Sequence, residues 1–194
     1  MGKGRLEAFS DGVIAVIITI MVLELRAPHS TGLAALVSLG PAFLTYALSF
    51  VFVGIYWNNH HHMLHAAQHI DGRVLWANLH LLFWLSLVPF TTGWVGENPA
   101  APIPTAAYGV VFLMGGVAWL LLQTALVRRN GPDSVLARAV GRDFKGKLSS
   151  ALYLSGIGLA FVHTWIADAL YVLVALIWFI PDQRIERALA TGRD

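Results

Sequence analysis

Charge disappears from this sequence in long stretches. Asp, Glu, Lys and Arg are absent from Leu33 to Trp57, Val74 to Gly96, Asn98 to Val127, Leu148 to Ala167 and Ala169 to Pro181. A helix rises 1.5 Å per residue and satisfies its own backbone hydrogen bonds, so about 20 residues cross a hydrocarbon core of about 30 Å. These stretches read as five spans, the last one short, and Leu6 to Leu25 supplies a sixth. The predicted elements are helices at about 5–25, 33–60, 71–93, 104–129, 144–163 and 165–180. The second can extend as a polar helix through the histidines to Gln68.

The breaks between spans carry turn chemistry. Pro28, in the turn from Ala27 to Gly32, cannot continue the backbone ladder and ends the first helix. Asp71 is placed to cap the third helix. Gly96 to Pro104, with Pro99, Pro102 and Pro104, reads as a loop. Gly131-Pro132-Asp133 opens the longest polar stretch, in which Ser134 to Arg142 fits an amphipathic interfacial helix or a solvated loop equally well. The fifth and sixth helices are joined so closely that they must form an antiparallel hairpin. Beyond Pro181 the pattern leaves a short basic tail and no soluble domain.

Composition strengthens the membrane reading. The chain has 194 residues, 57% apolar and 12% charged, about half the charge of a soluble domain. Six apolar runs leave too little polar chain to surround them as a soluble core. Glu7 and Asp11 interrupt the run that a cleaved signal peptide would need, so the first helix is expected to be retained. Lys3, Arg5, Arg73, Arg128, Arg129, Arg138, Arg142, Lys145, Lys147, Arg184, Arg187 and Arg193 fall on one side of a six-span topology, and Arg26 alone falls on the other. That bias places both termini in the cytoplasm. The expected fold class is an all-α integral membrane protein, one unit over 1–194 with six transmembrane helices. Cysteine is absent, which removes disulfides, thiolate metal sites and cysteine nucleophiles. No internal repeat supports an inverted-repeat transporter. Gly109, Gly115, Gly116, Gly156 and Gly158 suit close helix approach.

The first helix carries the chemistry. A carboxylate inside a span is costly and points to function, and Glu7 and Asp11 lie four residues apart on one face. Val13, Val16, Thr19, Ile20 and Leu23 fall within about 120° of one another on a different face, apolar except for one hydroxyl. Asp11 points roughly opposite to that stripe. By itself such a stripe more often packs against lipid or neighbouring helices than lines a pore.

Arg5-Leu6-Glu7-Ala8-Phe9-Ser10-Asp11-Gly12-Val13, followed by Ile14 to Thr19 and Leu23-Glu24-Leu25, resembles the first-helix signature of the transmembrane protein 175 family. Trp57 with His60-His61, Leu75-Trp76-Ala77-Asn78, Pro89-Phe90-Thr91 and Trp178-Phe179-Ile180-Pro181 resemble the family too, so the likeness covers nearly the whole chain. The resemblance implies a homotetrameric, potassium-permeable cation channel of the bacterial inner membrane, not an enzyme. It implies K+ and other monovalent cations as permeant ions, no cofactor, no resident metal and no nucleic-acid partner. The first helices would line the pore without the carbonyl filter of ordinary potassium channels, and no Thr-Val-Gly-Tyr-Gly run occurs. By position from Asp11, the constriction falls on Val16, Ile20 and Leu23, with Thr19 as the hydroxyl beside them. Val16 departs from the larger Ile or Leu usual at the first narrowing, which implies a wider throat.

Arg5, Phe9, Ser10 and Asp11 are expected to position the first helix, with the Trp76 indole, Asn78 and His80 as candidate partners of Asp11. The alternative is a proton-coupled cation transporter that uses Glu7 and Asp11 as a relay. His60, His61, His62, His65 and His69 form the other conspicuous cluster. His61, His65 and His69 share a helical face, and imidazoles at that spacing suit a divalent metal or a pH response. A polar helix end is the more ordinary reading, and one cluster falls short of the several histidine boxes of a membrane desaturase.

Overall fold

A computed structural model describes residues 2–28, 30–134, 136–137 and 144–179. Its elements are α1 (Lys3–Leu23), α2 (Leu33–Ser38), α3 (Gly40–Ala66), α4 (Gly72–Ser86), α5 (Val88–Glu97), α6 (Pro102–Asn130), α7 (Phe144–Leu159) and α8 (Thr164–Phe179). The described residues are helical with short connections and contain no strand. Lys3–Leu23, Gly40–Ala66, Gly72–Glu97 and Pro102–Asn130 are long and apolar enough to cross a membrane. The helices α7 and α8 have 16 residues each.

Two of the expected helices are each broken near a proline. The helix expected at 33–60 stops at Leu39 and restarts as α3, with Pro41 in its first turn. The one expected at 71–93 breaks at Leu87, restarts with Pro89 in the first turn of α5, and runs to Glu97. Proline has no N–H to give the carbonyl four residues back, so each ladder must restart there. The Gly96–Pro104 loop is correspondingly shorter, because Gly96 lies in α5 and Pro102 already lies in α6. Asp71 caps α4 as expected, accepting from the Val74 amide at 3.0 Å. Most of Ser134 to Arg142, His29 in the first turn, and the tail beyond Phe179 lie outside the described residues.

The core is a bundle in which α1 packs on α3, α4 and α5, while α6 packs on α4, α5, α7 and α8. Phe52 of α3, Tyr108 and Phe112 of α6, Tyr153 of α7 and Tyr171 of α8 meet at its centre. Ring centroids are 4.4 Å apart for Phe52–Phe112 and 5.9 Å for Tyr153–Tyr171. Gly109 and Gly156 clear the space for Tyr171: a Cβ on Gly156 would stand 2.6 Å from its ring, and one on Gly109 would collide with its hydroxyl. The Tyr171 hydroxyl donates to the Thr105 carbonyl at 3.3 Å.

The ion pairs lie at the two ends. At one end the Lys3 ammonium donates to the His65 carbonyl at 3.0 Å, Arg129 stands 4.0 Å from Asp71, and Asn130 grips the linker between α3 and α4. The Asn130 side-chain oxygen accepts from the Gln68 and His69 amides at 2.8 and 2.9 Å. At the opposite end Arg26 pairs with Glu97 at 3.5 Å. The described basic residues therefore collect where α1 begins and α6 ends, with Arg26 at the other pole.

Candidate functional site

The face of α1 turned into the subunit is Leu6, Ser10, Ile14, Ile17 and Met21, all buried. These positions advance by three or four residues, as one face of a helix must. Ser10 supplies the only polar group on that face. Its hydroxyl donates to the Leu6 carbonyl at 2.8 Å and accepts from the Asn78 amide of α4 at 2.9 Å. The Asn78 side-chain oxygen stands 2.7 Å from Nε2 of His60 on α3. Since the amide nitrogen is committed to Ser10, that oxygen must accept, and Nε2 of His60 carries the proton. Ser10, Asn78 and His60 are all buried, so one continuous chain of donors and acceptors ties three helices together inside the bundle. A buried network of this kind is favourable when every member is satisfied.

Asp11 makes a separate tie. It accepts from the Trp57 indole of α3 at 3.0 Å. The expected partners on α4 are engaged elsewhere: Asn78 reaches Ser10, His80 accepts from the Trp84 indole at 2.9 Å, and Trp76 is 75% exposed. Trp57 was not among the expected partners, because spacing along one helix cannot tell which neighbouring helix a side chain will face. Glu7 pairs with Lys3 at 3.8 Å. Arg5 is exposed at the start of α1, and Phe9 is exposed on the side of α1 toward α5. A second buried hydroxyl chain was not anticipated: Thr92 donates to Ser49 at 2.7 Å, and Ser49 lies 3.0 Å from the Tyr108 hydroxyl. Ser49, Phe52, Val53 and His60 lie on the buried side of α3. That common helical face was the available signal for both Ser49 and His60.

The other face of α1 is open. Val16 is 55%, Ile20 41% and Leu23 76% exposed, and Thr19 is exposed between them. The Thr19 hydroxyl gives its proton to the Val16 carbonyl at 2.9 Å, which leaves its oxygen able to accept. Val16 and Ile20 line a groove of ≈ 910 Å³ between α1 and α5. Phe9 and Val13 continue its α1 wall, Pro89, Phe90 and Trp94 form the α5 wall, and Glu24, Arg26 and Glu97 stand at one end of it. Gly93 allows the Glu24 carboxylate to lie against α5, since a Cβ there would be 2.9 Å from its oxygen.

The histidines do not act as one cluster. His60 turns inward to Asn78, whereas His61 and His65 are exposed, stacked at 6.2 Å, with Trp57 stacked on His61 at 6.2 Å. Consecutive helical residues point about 100° apart, so His60 and His61 cannot share a face. Among the described residues, no three His, Asp or Glu side chains are grouped to hold a metal ion.

A family model described as "Endosomal/lysosomal potassium channel TMEM175" matches residues 5–89, from Arg5 to Pro89. A protein named "Potassium channel" from Chryseobacterium sp. (strain P1-3) is 50% identical over 189 residues, 97% of this chain and 98% of that protein. The "Endosomal/lysosomal proton channel TMEM175" of Bos taurus is 29% identical over 187 residues, 87% of this chain and 39% of the bovine protein. The crystal structure of a lysosomal potassium-selective channel TMEM175 homolog from Chamaesiphon minutus matches with a TM-score of 0.79 and 28% identity, over 93% of this chain and 97% of that one.

Proposed function

The chain belongs to the TMEM175 family, and from that premise we propose that it is a potassium-permeable cation channel, built as a homotetramer around four copies of α1. Six segments cross the membrane, namely α1, α2 with α3, α4 with α5, α6, α7 and α8. Both termini lie in the cytoplasm of a bacterial cell, with the protein in the inner membrane. The observation that carries this reading is the division of α1: Leu6, Ser10, Ile14, Ile17 and Met21 are packed inside the subunit, while Val16, Thr19, Ile20 and Leu23 face out of it.

Around a fourfold axis that outward face becomes stacked rings. Val16, Ile20 and Leu23 form an apolar throat in which a cation sheds part of its water, and narrow apolar constrictions of this kind gate by dewetting. Thr19 offers the one hydroxyl within the rings, where a partly dehydrated ion recovers a ligand. The polar motif sits off the axis. Asp11 through Trp57, and Ser10 through Asn78 and His60, set the rotation of α1 and so decide which residues meet the ion.

The transporter reading would make Glu7 and Asp11 the ion-coupling groups. Glu7 pairs with Lys3 one turn away on α1 and Asp11 accepts from Trp57 of α3, so both carboxylates already have partners and Asp11 serves the packing of α1. Passive flux decides between them. Purified protein in liposomes should pass K+ down its gradient with no imposed proton gradient. Absence of flux over a range of voltages and pH contradicts the channel, and saturable flux that requires a proton gradient supports the transporter.

A further inference from the structure

A second cavity lies on the other side of α3, away from α1. It measures ≈ 160 Å³ and is walled by Phe52, Ile55 and Tyr56 of α3, Gly116 and Leu120 of α6, and Tyr153 of α7. From Phe52 to Asn59 it follows α3 for about 10 Å, at 1.5 Å per residue. Val117 and Leu120, also in its lining, are exposed, so the cavity opens sideways on the surface that a bilayer covers. Polar lining gathers at one end, with Asn59 of α3 and Lys147, Ser149 and Ser150 of α7. There the Trp178 indole donates to the Ser149 hydroxyl at 2.8 Å, and the Lys145 ammonium stands 5.9 Å from the centre of the Trp178 ring.

Two details separate this cavity from a packing gap. The first is Gly116, where an added Cβ would meet nothing within 4 Å. Unlike Gly109 and Gly156, which seat Tyr171, it admits no neighbouring side chain. The second is the agreement between depth and polarity. Lys147 lies in the first turn of α7, beyond the polar connection from Arg128 and Arg129, a position that the six-span arrangement proposed above puts at headgroup level. A deep apolar slot with a cationic, hydrogen-bonding mouth at headgroup level fits an amphiphile with an anionic head.

We propose that this cavity binds one anionic phospholipid, with the first part of an acyl chain between α3, α6 and α7, the rest running out sideways past Val117 and Leu120, and its phosphate at Lys147. The bound lipid lies against Tyr56 and Asn59, the neighbours in sequence of Trp57 and His60 that tie α3 to α1. The inference concerns binding alone and stands or falls independently of ion conduction.

The test is native mass spectrometry of the full chain, equilibrated in mixed micelles containing equal amounts of phosphatidylglycerol and phosphatidylcholine. One phosphatidylglycerol should be retained with about fivefold preference, the selectivity that a single lysine at a membrane surface confers. Gly116→Leu fills the slot and should remove the retained lipid. Lys147→Gln should keep one lipid and lose the headgroup preference, and this exposed position carries the test if the leucine disturbs folding. Equal retention of the two lipids by the wild type overturns the proposal. So does undiminished phosphatidylglycerol binding by a folded Gly116→Leu, or displacement by oleate at the same concentration, which would make a free fatty acid the occupant.

Discussion

Asn78 of α4 donates to the Ser10 hydroxyl of α1 at 2.9 Å, and both side chains are fully buried. This contact joins the helix assigned to the pore to the packed interior, through an amide that also accepts from His60. Asn78→Leu strands the His60 N–H without a partner inside the bundle. An unpaired buried donor costs about 1–3 kcal/mol, so the variant should melt at a lower temperature in detergent than the wild type. An unchanged melting temperature would mean that the network holds nothing together.

Asp11 accepts from Trp57, and an asparagine oxygen can accept the same proton. Asp11→Asn should therefore assemble and conduct K+ at a rate near that of the wild type, whereas Asp11→Leu should lose both. Loss of flux in Asp11→Asn, with assembly intact, would move the carboxylate from the scaffold into the ion pathway.

Gly156 leaves no room for a methyl beside the Tyr171 ring. Gly156→Ala should destabilise the fold by about 1–3 kcal/mol, the usual cost of overpacking a filled core. Tyr171→Leu in the same chain should recover part of that loss, since it removes the atoms in the way. Thermal melting of the two single variants and the double variant measures the coupling directly.

The Arg26–Glu97 pair, with its side chains 80% and 56% exposed, should behave differently. Exposed ion pairs contribute little to stability. Arg26→Gln should melt with the wild type, and any effect it has should appear as a salt-dependent change in flux. A large fall in melting temperature would show that the outer end of α1 depends on this contact.

Ile20 is the middle ring of the proposed throat. Ile20→Asn replaces a dewetting surface with hydrogen-bonding groups, which should raise K+ flux and admit Na+ more freely. Liposome flux under K+ and Na+ gradients reads both changes, and flux unchanged in rate and selectivity would place Ile20 outside the pathway.

Much of this arrangement was legible in the residues. The breaks near Pro41 and Pro89 were not read, because hydropathy joins 33–60 and 71–93 each into one span. Asp71 was readable as a cap because capping is local: carboxylate and receiving amide lie three residues apart. Helical geometry put Val13, Val16, Thr19, Ile20 and Leu23 on one face, but not its exposure: the last four are exposed, whereas Val13 packs against the core. What periodicity did not contain was the choice of partner across helices. Asp11 has indoles available on two neighbouring helices, Trp57 and Trp76, and spacing along one helix cannot say which turns toward it. The same limit hid His60, which looked like one of five similar histidines until the packing of α3 against α1 and α4 turned it inward.

The central claim is that Ile20 and Leu23 face a water-filled path and not lipid. The chain has no cysteine, so single substitutions can be read without background. Ile20→Cys, Leu23→Cys and, on the outer surface of α8, Leu176→Cys should be reconstituted and treated with a charged methanethiosulfonate reagent during K+ flux. Such reagents need a thiolate, which forms in water and not in hydrocarbon. Loss of flux in the two α1 variants, with Leu176→Cys unaffected, is the predicted result. Flux that persists at Ile20→Cys and Leu23→Cys after treatment would contradict a pore lined by α1.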